Sequence, residues 1–169
     1  MPERAYIAIG SNLGDRHAYL EAGIKEVAAL PNTRLAEVSH AYETPPVGPI
    51  SQPDFLNAVF AIETSLAPEP LLAALLAAEK KHQRQRRIHW GPRTLDLDLL
   101  LYGERVVASA DLTLPHPHMH ERSFVLVPLC EIAPRLSHPV TGRPFAAYLA
   151  ALNCLEAKDV GPLTLPAIP

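Results

Sequence analysis

The chain has 169 residues, 48% of them hydrophobic and 20% charged, with 15 Lys+Arg against 18 Asp+Glu. That length fits one domain of ~100–200 residues, and the slightly acidic balance excludes a chain that is basic throughout while leaving room for a local basic patch. Two cysteines, Cys130 and Cys154, exclude a disulfide framework and a cysteine-based zinc site. No apolar run approaches the ~20 residues that span a bilayer, and Met1-Pro2-Glu3-Arg4 opens no signal-peptide pattern, so a cytoplasmic chain is expected.

Tyr6–Ile9 reads as a short buried strand running into the turn Gly10-Ser11-Asn12-Leu13-Gly14. A helix follows over about 15–30, with Leu20, Ile24 and Val27 at helical spacing and Pro31-Asn32 to stop it. Residues 35–43 read as a second strand, and the prolines at 45, 46 and 49 impose a stiff loop that ends at Gln52-Pro53. The clearest strand is Phe55–Thr64: Leu56, Ala58, Phe60 and Ile62 form a core face, and Phe55, Asn57, Val59 and Ala61 point the other way. Pro68 suits the first turn of a helix that runs to about His82. Leu95–Tyr102 is a further strand, with Gly103-Glu104 turning it into a hairpin partner at Arg105–Val107. Short helices are expected over 124–132 and 145–152. Residues 1–157 form a single domain in this reading, and the Pro-rich tail 158–169 is expected to be loosely ordered. The order is that of a ferredoxin-like βαββαβ fold: α+β, an antiparallel sheet with helices packed on one face, followed by C-terminal additions.

The chemistry concentrates in Thr94-Leu95-Asp96-Leu97-Asp98-Leu99. Period-two alternation sends the leucines to the core and gathers Thr94, Asp96 and Asp98 on the opposite face. Two carboxylates so placed repel each other unless a cation lies between them, and hard oxygen ligands suit Mg²⁺, which also recruits substrate phosphates. Lys80, Lys81, Arg84, Arg86, Arg87 and Arg93 lead into the pair with no acid after Lys80, six of the 15 basic residues. A metal nucleotide satisfies both charges, with arginines clasping phosphate bidentately. Such a basic run, poor in apolar anchors from His82 to Pro92, is expected to be mobile in the free protein and to close on phosphate. A solvated helix end and an exposed acidic strand are the plainer alternatives. The Gly10–Gly14 segment lacks the ending of a Walker loop and reads as a strand-to-helix turn beside a pocket.

These residues resemble the 6-hydroxymethyl-7,8-dihydropterin pyrophosphokinase family of folate biosynthesis over about residues 5–134. Trp90-Gly91-Pro92-Arg93-Thr94-Leu95-Asp96-Leu97-Asp98 resembles its signature. Ile9–Asp15, Tyr42–Gly48, Gln52–Ala58, Leu114–Pro117, Arg122–Leu126 and Pro128–Pro134 follow in family order. The resemblance implies a ferredoxin-like enzyme that passes pyrophosphate from ATP to the pterin hydroxymethyl oxygen and releases AMP. It implies that Asp96 and Asp98 hold two Mg²⁺ ions, and that Arg84 and Arg93 engage the phosphates during catalysis. Phe55 and Phe124 would sandwich the pterin, whose polar edge is read by Asn57, helped by Thr44 and the backbone around Pro45 and Val47. Glu79, Arg86, Trp90, Leu99, Thr113, His116 and Arg122 would contact ATP. Departures from the family pattern fall at Gln83, where many members have Gly, at His89, where others carry Arg, and at Leu76 and Pro117.

Small-molecule partners only are therefore expected, with no nucleic acid, no membrane and a monomeric state. Two further readings compete with this one. The basic run could belong to a nucleic-acid-binding ferredoxin-like module, though aromatic residues are only 6% and two acids adjoin it. Alternatively, His116, His118 and His120 could form the zinc site of a hydrolase.

Overall fold

The first strand, β1 (Glu3–Ser11), lies inside the sheet, one strand from its edge. The structure is a computed structural model that describes residues 2–46, 48–82, 94–152 and 157–165. Helix α1 (Arg16–Ala28) follows β1, its first turn capped by the Asp15 carboxylate, which accepts the Ala18 N–H at 3.1 Å. The chain then passes through β2 (Thr33–Val38) and β3 (Tyr42–Thr44) into the long β4 (Phe55–Thr64). Helix α2 (Pro68–His82), with Pro68 in its first turn and Lys80 and Lys81 in its last, leads to β5 (Asp96–Tyr102). A small ribbon of β6 (Val107–Ala108) and β7 (Thr113–Leu114), helices α3 (Ser123–Ile132) and α4 (Phe145–Ala151), and a last strand β8 (Lys158–Asp159) complete the chain.

Every pairing in the main sheet is antiparallel, in the order β5-β1-β4-β3-β8 with β2 also beside β4. β2 and β3 lie end to end along β4: Thr33 to Val38 pair with the stretch from Thr64 to Phe60, and Tyr42 to Thr44 with Asn57 to Phe55. The single strand expected over 35–43 is thus broken between them. The buried Ser39 makes the break: its N–H donates to the Val59 carbonyl at 2.9 Å, and its hydroxyl accepts the Val59 N–H at 3.0 Å.

Alternation divides the strands between two cores. Ala5, Ile7 and Ile9 of β1, Leu56, Ala58, Phe60 and Ile62 of β4, and Leu97 and Leu99 of β5 pack with Leu20, Ile24 and Val27 of α1 and Leu71, Leu75 and Ala78 of α2. On the other face Tyr6, Val59, Ala61, Leu100 and Leu101 pack with Met119, with Val125, Leu126 and Leu129 of α3, and with Phe145 of α4. Each large aliphatic side chain fully buried this way contributes ~1.5–3 kcal/mol. Helices therefore cover both faces, which corrects the one-face expectation. The physical reason is that Val59 and Ala61 are apolar on the outward side of β4 and need a layer of their own.

β5 carries one irregularity. Ile7 pairs with Leu99 and Tyr6 with Leu101, so Leu100 is an extra, bulged residue. Leu100 and Leu101 consequently both join the α3 face, and Tyr102 returns to the other. The segment after β5 is not its hairpin partner as expected: β6 pairs with β7 instead, across a turn in which the Ser109 hydroxyl and N–H both bond to Leu112 O. Leu112, Leu114 and Val107 anchor that ribbon to the α1/α2 core. Within the tail, β8 pairs with β3, and Leu163 and Leu165 pack against the α1/α2 core, where these apolar side chains have a surface to bury on.

Candidate active site

The register of three strands assembles the site. Gly10 pairs with Asn57 on one side and with Asp96 on the other, and Ala8 pairs with Val59 and Asp98 in the next row. Residues directly opposite share a face, so Asn57, Gly10 and Asp96 form one row on the α3 side of the sheet. Two strand spacings separate the backbones of Asn57 and Asp96, ~10 Å, and the Asn57 amide leans from its strand toward Gly10. The residues of β1 on this side shrink toward this end, from Tyr6 through Ala8 to Gly10.

Gly10 is small for a stated reason. A Cβ built there would lie 2.8 Å from Asn57 Oδ1 and 3.7 Å from the Phe55 ring. The amide of Asn57, only 7% exposed, lies over the glycine, and its Nδ2 donates to Thr44 Oγ1 at 2.6 Å. Thr44, at the end of β3, thus fixes which way the amide faces. Phe55 opens β4 half-buried, and Phe124 in the first turn of α3 is half-buried under the Arg122 guanidinium, 5.7 Å from its ring centre.

At the opposite end of the row Asp96 and Asp98 are half-buried on β5. His116 is tied to the same strand, its N–H donating to Leu100 O at 2.9 Å. Burial holds His116 below the ordinary imidazole value near 6.5; the Asp98 carboxylate opposes that shift, and the Arg122 cation reinforces it. Asp98, His116 and Arg122 are therefore electrostatic neighbours. Glu79 reaches from α2 to accept the Leu97 N–H at 2.7 Å, which pins β5 between the two aspartates. Two carboxylates of one strand, without a closed protein cage, fit Mg²⁺, which keeps waters and takes substrate phosphates. Among the described residues no group of three or more His, Cys, Asp or Glu is arranged to hold a metal.

Thr113 is exposed on β7, and Pro45 is exposed after β3. Leu99 has its side chain in the α1/α2 core, on the face away from the aspartates. Arg84, Arg86, Trp90 and Arg93, together with Gln83, His89 and Val47, lie outside the described residues. The three histidines do not converge: the His116 and His118 rings are 6.2 Å apart, His118 meets Glu121 at 3.3 Å, and His120 lies beside His138.

Sequence reasoning missed a clasp between two loops. The buried Asn12 donates through Nδ2 to Gln52 Oε1 at 2.8 Å and Pro53 O at 2.9 Å. Arg16 donates to Asp54 O at 3.0 Å and to Glu43 Oε2 at 2.6 Å. The turn after β1 is therefore the anchor of the Pro-rich loop rather than a phosphate cradle. The paired polar side chains Asn12 and Gln52 were the available signal, but only strand pairing brings them together.

Comparison with known proteins shows the family. The family model described as 7,8-dihydro-6-hydroxymethylpterin-pyrophosphokinase (HPPK) matches residues 6–134. A 2-amino-4-hydroxy-6-hydroxymethyldihydropteridine pyrophosphokinase of Pseudomonas aeruginosa is 47% identical over 151 residues, 89% of this chain and 93% of the relative. A protein of the same name from Synechocystis is 40% identical over 158 residues, 94% of this chain and 80% of the relative. Among solved structures, a Plasmodium falciparum HPPK-DHPS with pteroate superposes with a TM-score of 0.70 at 12% identity, a likeness of fold alone. The match covers 89% of this chain and 42% of that one.

Proposed function

From the premise that the chain belongs to the 7,8-dihydro-6-hydroxymethylpterin-pyrophosphokinase family, we infer that the row Asn57–Gly10–Asp96 is where it transfers pyrophosphate from ATP to 6-hydroxymethyl-7,8-dihydropterin, a step of folate biosynthesis. The observation that carries this reading is the shared register: two adjacent rows set an oriented amide on β4 and a carboxylate pair on β5, with β1 between them.

The amide end suits the pterin. A side-chain amide presents a donor beside an acceptor, which complements the alternating donors and acceptors of a pterin edge. Thr44 orients Asn57, and Gly10 leaves room above the sheet for the Asn57 amide. Phe55 and Phe124 offer two aromatic faces for stacking, and in this reading the backbone around Pro45 and Val47 would contact the pterin as well.

The carboxylate end suits the nucleotide. Asp96 and Asp98 would hold two Mg²⁺ ions, which when bound neutralise the polyphosphate and favour attack at phosphorus. Arg122 supplies a fixed positive charge, and His116, held toward its neutral form, offers a hydrogen bond. Thr113, Glu79, Arg86, Trp90 and Leu99 border ATP in this reading; Leu99 would do so through its main chain, since its side chain faces the other core. Arg84 and Arg93 engage the transferring group. In the transfer a bond forms between the pterin hydroxymethyl oxygen and the β-phosphorus. The bond from that phosphorus to the oxygen bridging the α-phosphorus breaks, AMP leaves with the electron pair, and the hydroxyl proton passes to solvent. Positioning and charge neutralisation supply most of such catalysis.

The ferredoxin-like description is supported by the order β5-β1-β4 with β2 and β3 end to end beyond β4. A monomer is supported by two covered edges: β8 takes the outer side of β3, and Glu79 takes an outward N–H of β5. We place the reaction in the cytoplasm, where ATP is abundant. The test is to incubate the protein with ATP, Mg²⁺ and the hydroxymethyl pterin. AMP should form in step with pterin diphosphate, and chelation should stop it. Release of ADP instead, or AMP release indifferent to pterin, would overturn the reading.

A further inference from the structure

β3 has three residues and, after the break at Ser39, no continuity with β2. A strand so short is weak by itself. Its outer side is gripped by a segment beyond residues 6–134 that match the family. Tyr42 pairs with Asp159 and Glu43 with Lys158. Ala41 N–H donates to Gly161 O at 2.9 Å, and Val160 N–H donates to Ala41 O at 2.9 Å. The Asp159 carboxylate meets His40 Nδ1 at 3.0 Å and accepts the Gly161 N–H at 2.8 Å. His40 is held from inside as well: its backbone N–H donates to both oxygens of Glu131 on α3 at 3.0 Å, and the same carboxylate accepts the Tyr42 hydroxyl at 2.5 Å. Further on, Thr164 N–H donates to Glu21 Oε2 of α1 at 2.6 Å, with Leu163 and Leu165 packed against the core. One stretch of chain thus runs from β3 to α1 and is fastened at both ends.

The residue that depends on β3 is Thr44, whose hydroxyl orients the Asn57 amide. We propose that segment 157–165 is a strap that positions β3 for pterin recognition, with Asp159 and His40 as its positioning residues. The proposal rests on Asn57 and Thr44 being the pterin-reading end of the site. Loosening the strap lets β3 drift from β4, so the amide loses its fixed orientation. The nucleotide end lies on β5, with β4 and β1 between it and the strand that the strap grips.

The test uses the full chain carrying Asp159→Ala and Val160→Pro together, which removes the carboxylate and the donor to Ala41 O. Pterin and Mg-ATP are titrated separately by calorimetry, with thermal unfolding followed in parallel. Pterin affinity and its KM should weaken about tenfold, the equivalent of roughly one lost hydrogen bond. Mg-ATP affinity should stay within about twofold, and kcat at saturating pterin should hold, because the strap acts on binding rather than on the transition state. Asp159→Asn, which keeps an acceptor for Gly161, should lie between. Equal losses for both ligands, or unchanged pterin affinity, would overturn the strap. If the double variant fails to fold, Asp159→Ala alone must show the same split in smaller measure, and unchanged pterin affinity there is equally fatal. Wild-type protein that binds no pterin would instead overturn the assignment of the site itself.

Discussion

The two faces of the sheet come from the same strands and behave differently. Toward α1 and α2, Ala5, Ile7 and Ile9 of β1 and Leu56, Ala58, Phe60 and Ile62 of β4 are apolar and closed off from water. Toward α3 and α4, apolar packing among the described residues gathers at one end, where Val59 and Ala61 meet α3, and beyond them the row turns polar, with Asn57 buried over Gly10 and Asp96 half-buried. The lesson is that one alternation serves two purposes. The filled face supplies rigidity, and the partly filled face converts that rigidity into fixed distances between polar groups.

The sharpest way to break the comparison is to remove a group from the open face and look for lost stability. Asp96→Ala and Asp98→Ala should each lower AMP formation by about 10³-fold or more, since several kcal/mol of charge stabilisation disappear. Urea unfolding should stay at or slightly above the parent value, because one of two like charges is gone. The reverse experiment acts on the closed face. Phe60→Ala should cost about 3–5 kcal/mol in urea unfolding, while the protein that remains folded keeps its KM for both substrates. Gly10→Ala is an intermediate case. Its Cβ pushes the Asn57 amide aside, so pterin binding should weaken by roughly 1–3 kcal/mol with ATP binding unchanged by titration.

The smallest effect sharpens the comparison at the far end of the open face. Burial, helped by neighbouring His120, holds His138 below the ordinary value near 6.5. Its Nδ1 accepts the N–H groups of Val140 and Thr141, which requires the unprotonated ring nitrogen. The unfolded chain takes up a proton near pH ~6.5 while the folded chain resists it. Stability from this group is full above that value and declines as pH falls toward the depressed one. Thermal melts from pH 7.5 down to pH 5 should show the decline in the parent and a shallower one in His138→Gln.

Sequence legibility follows the same division. The alternation of Phe55–Thr64 identified both the core set and the Phe55–Asn57 pair, because a long strand buried on both faces leaves no freedom of phase. Asp96 and Asp98 were legible for the same reason. What was not legible depended on distant partners. The break at Ser39 exists because its side chain takes a bond from Val59, and β8 forms because β3 offers it an edge. The role of Gly10 needed the register that lays Asn57 across it.

The bulge in β5 has a consequence for gene comparison. Leu100 adds one residue to an otherwise regular strand, and that residue's carbonyl holds the His116 N–H. Deleting its codon would restore plain alternation and leave Asp96 and Asp98 on their face. The same deletion would remove the peg on which His116 hangs. In an alignment, a one-residue gap at this point would therefore mark a homologue whose histidine matches by letter but not by place.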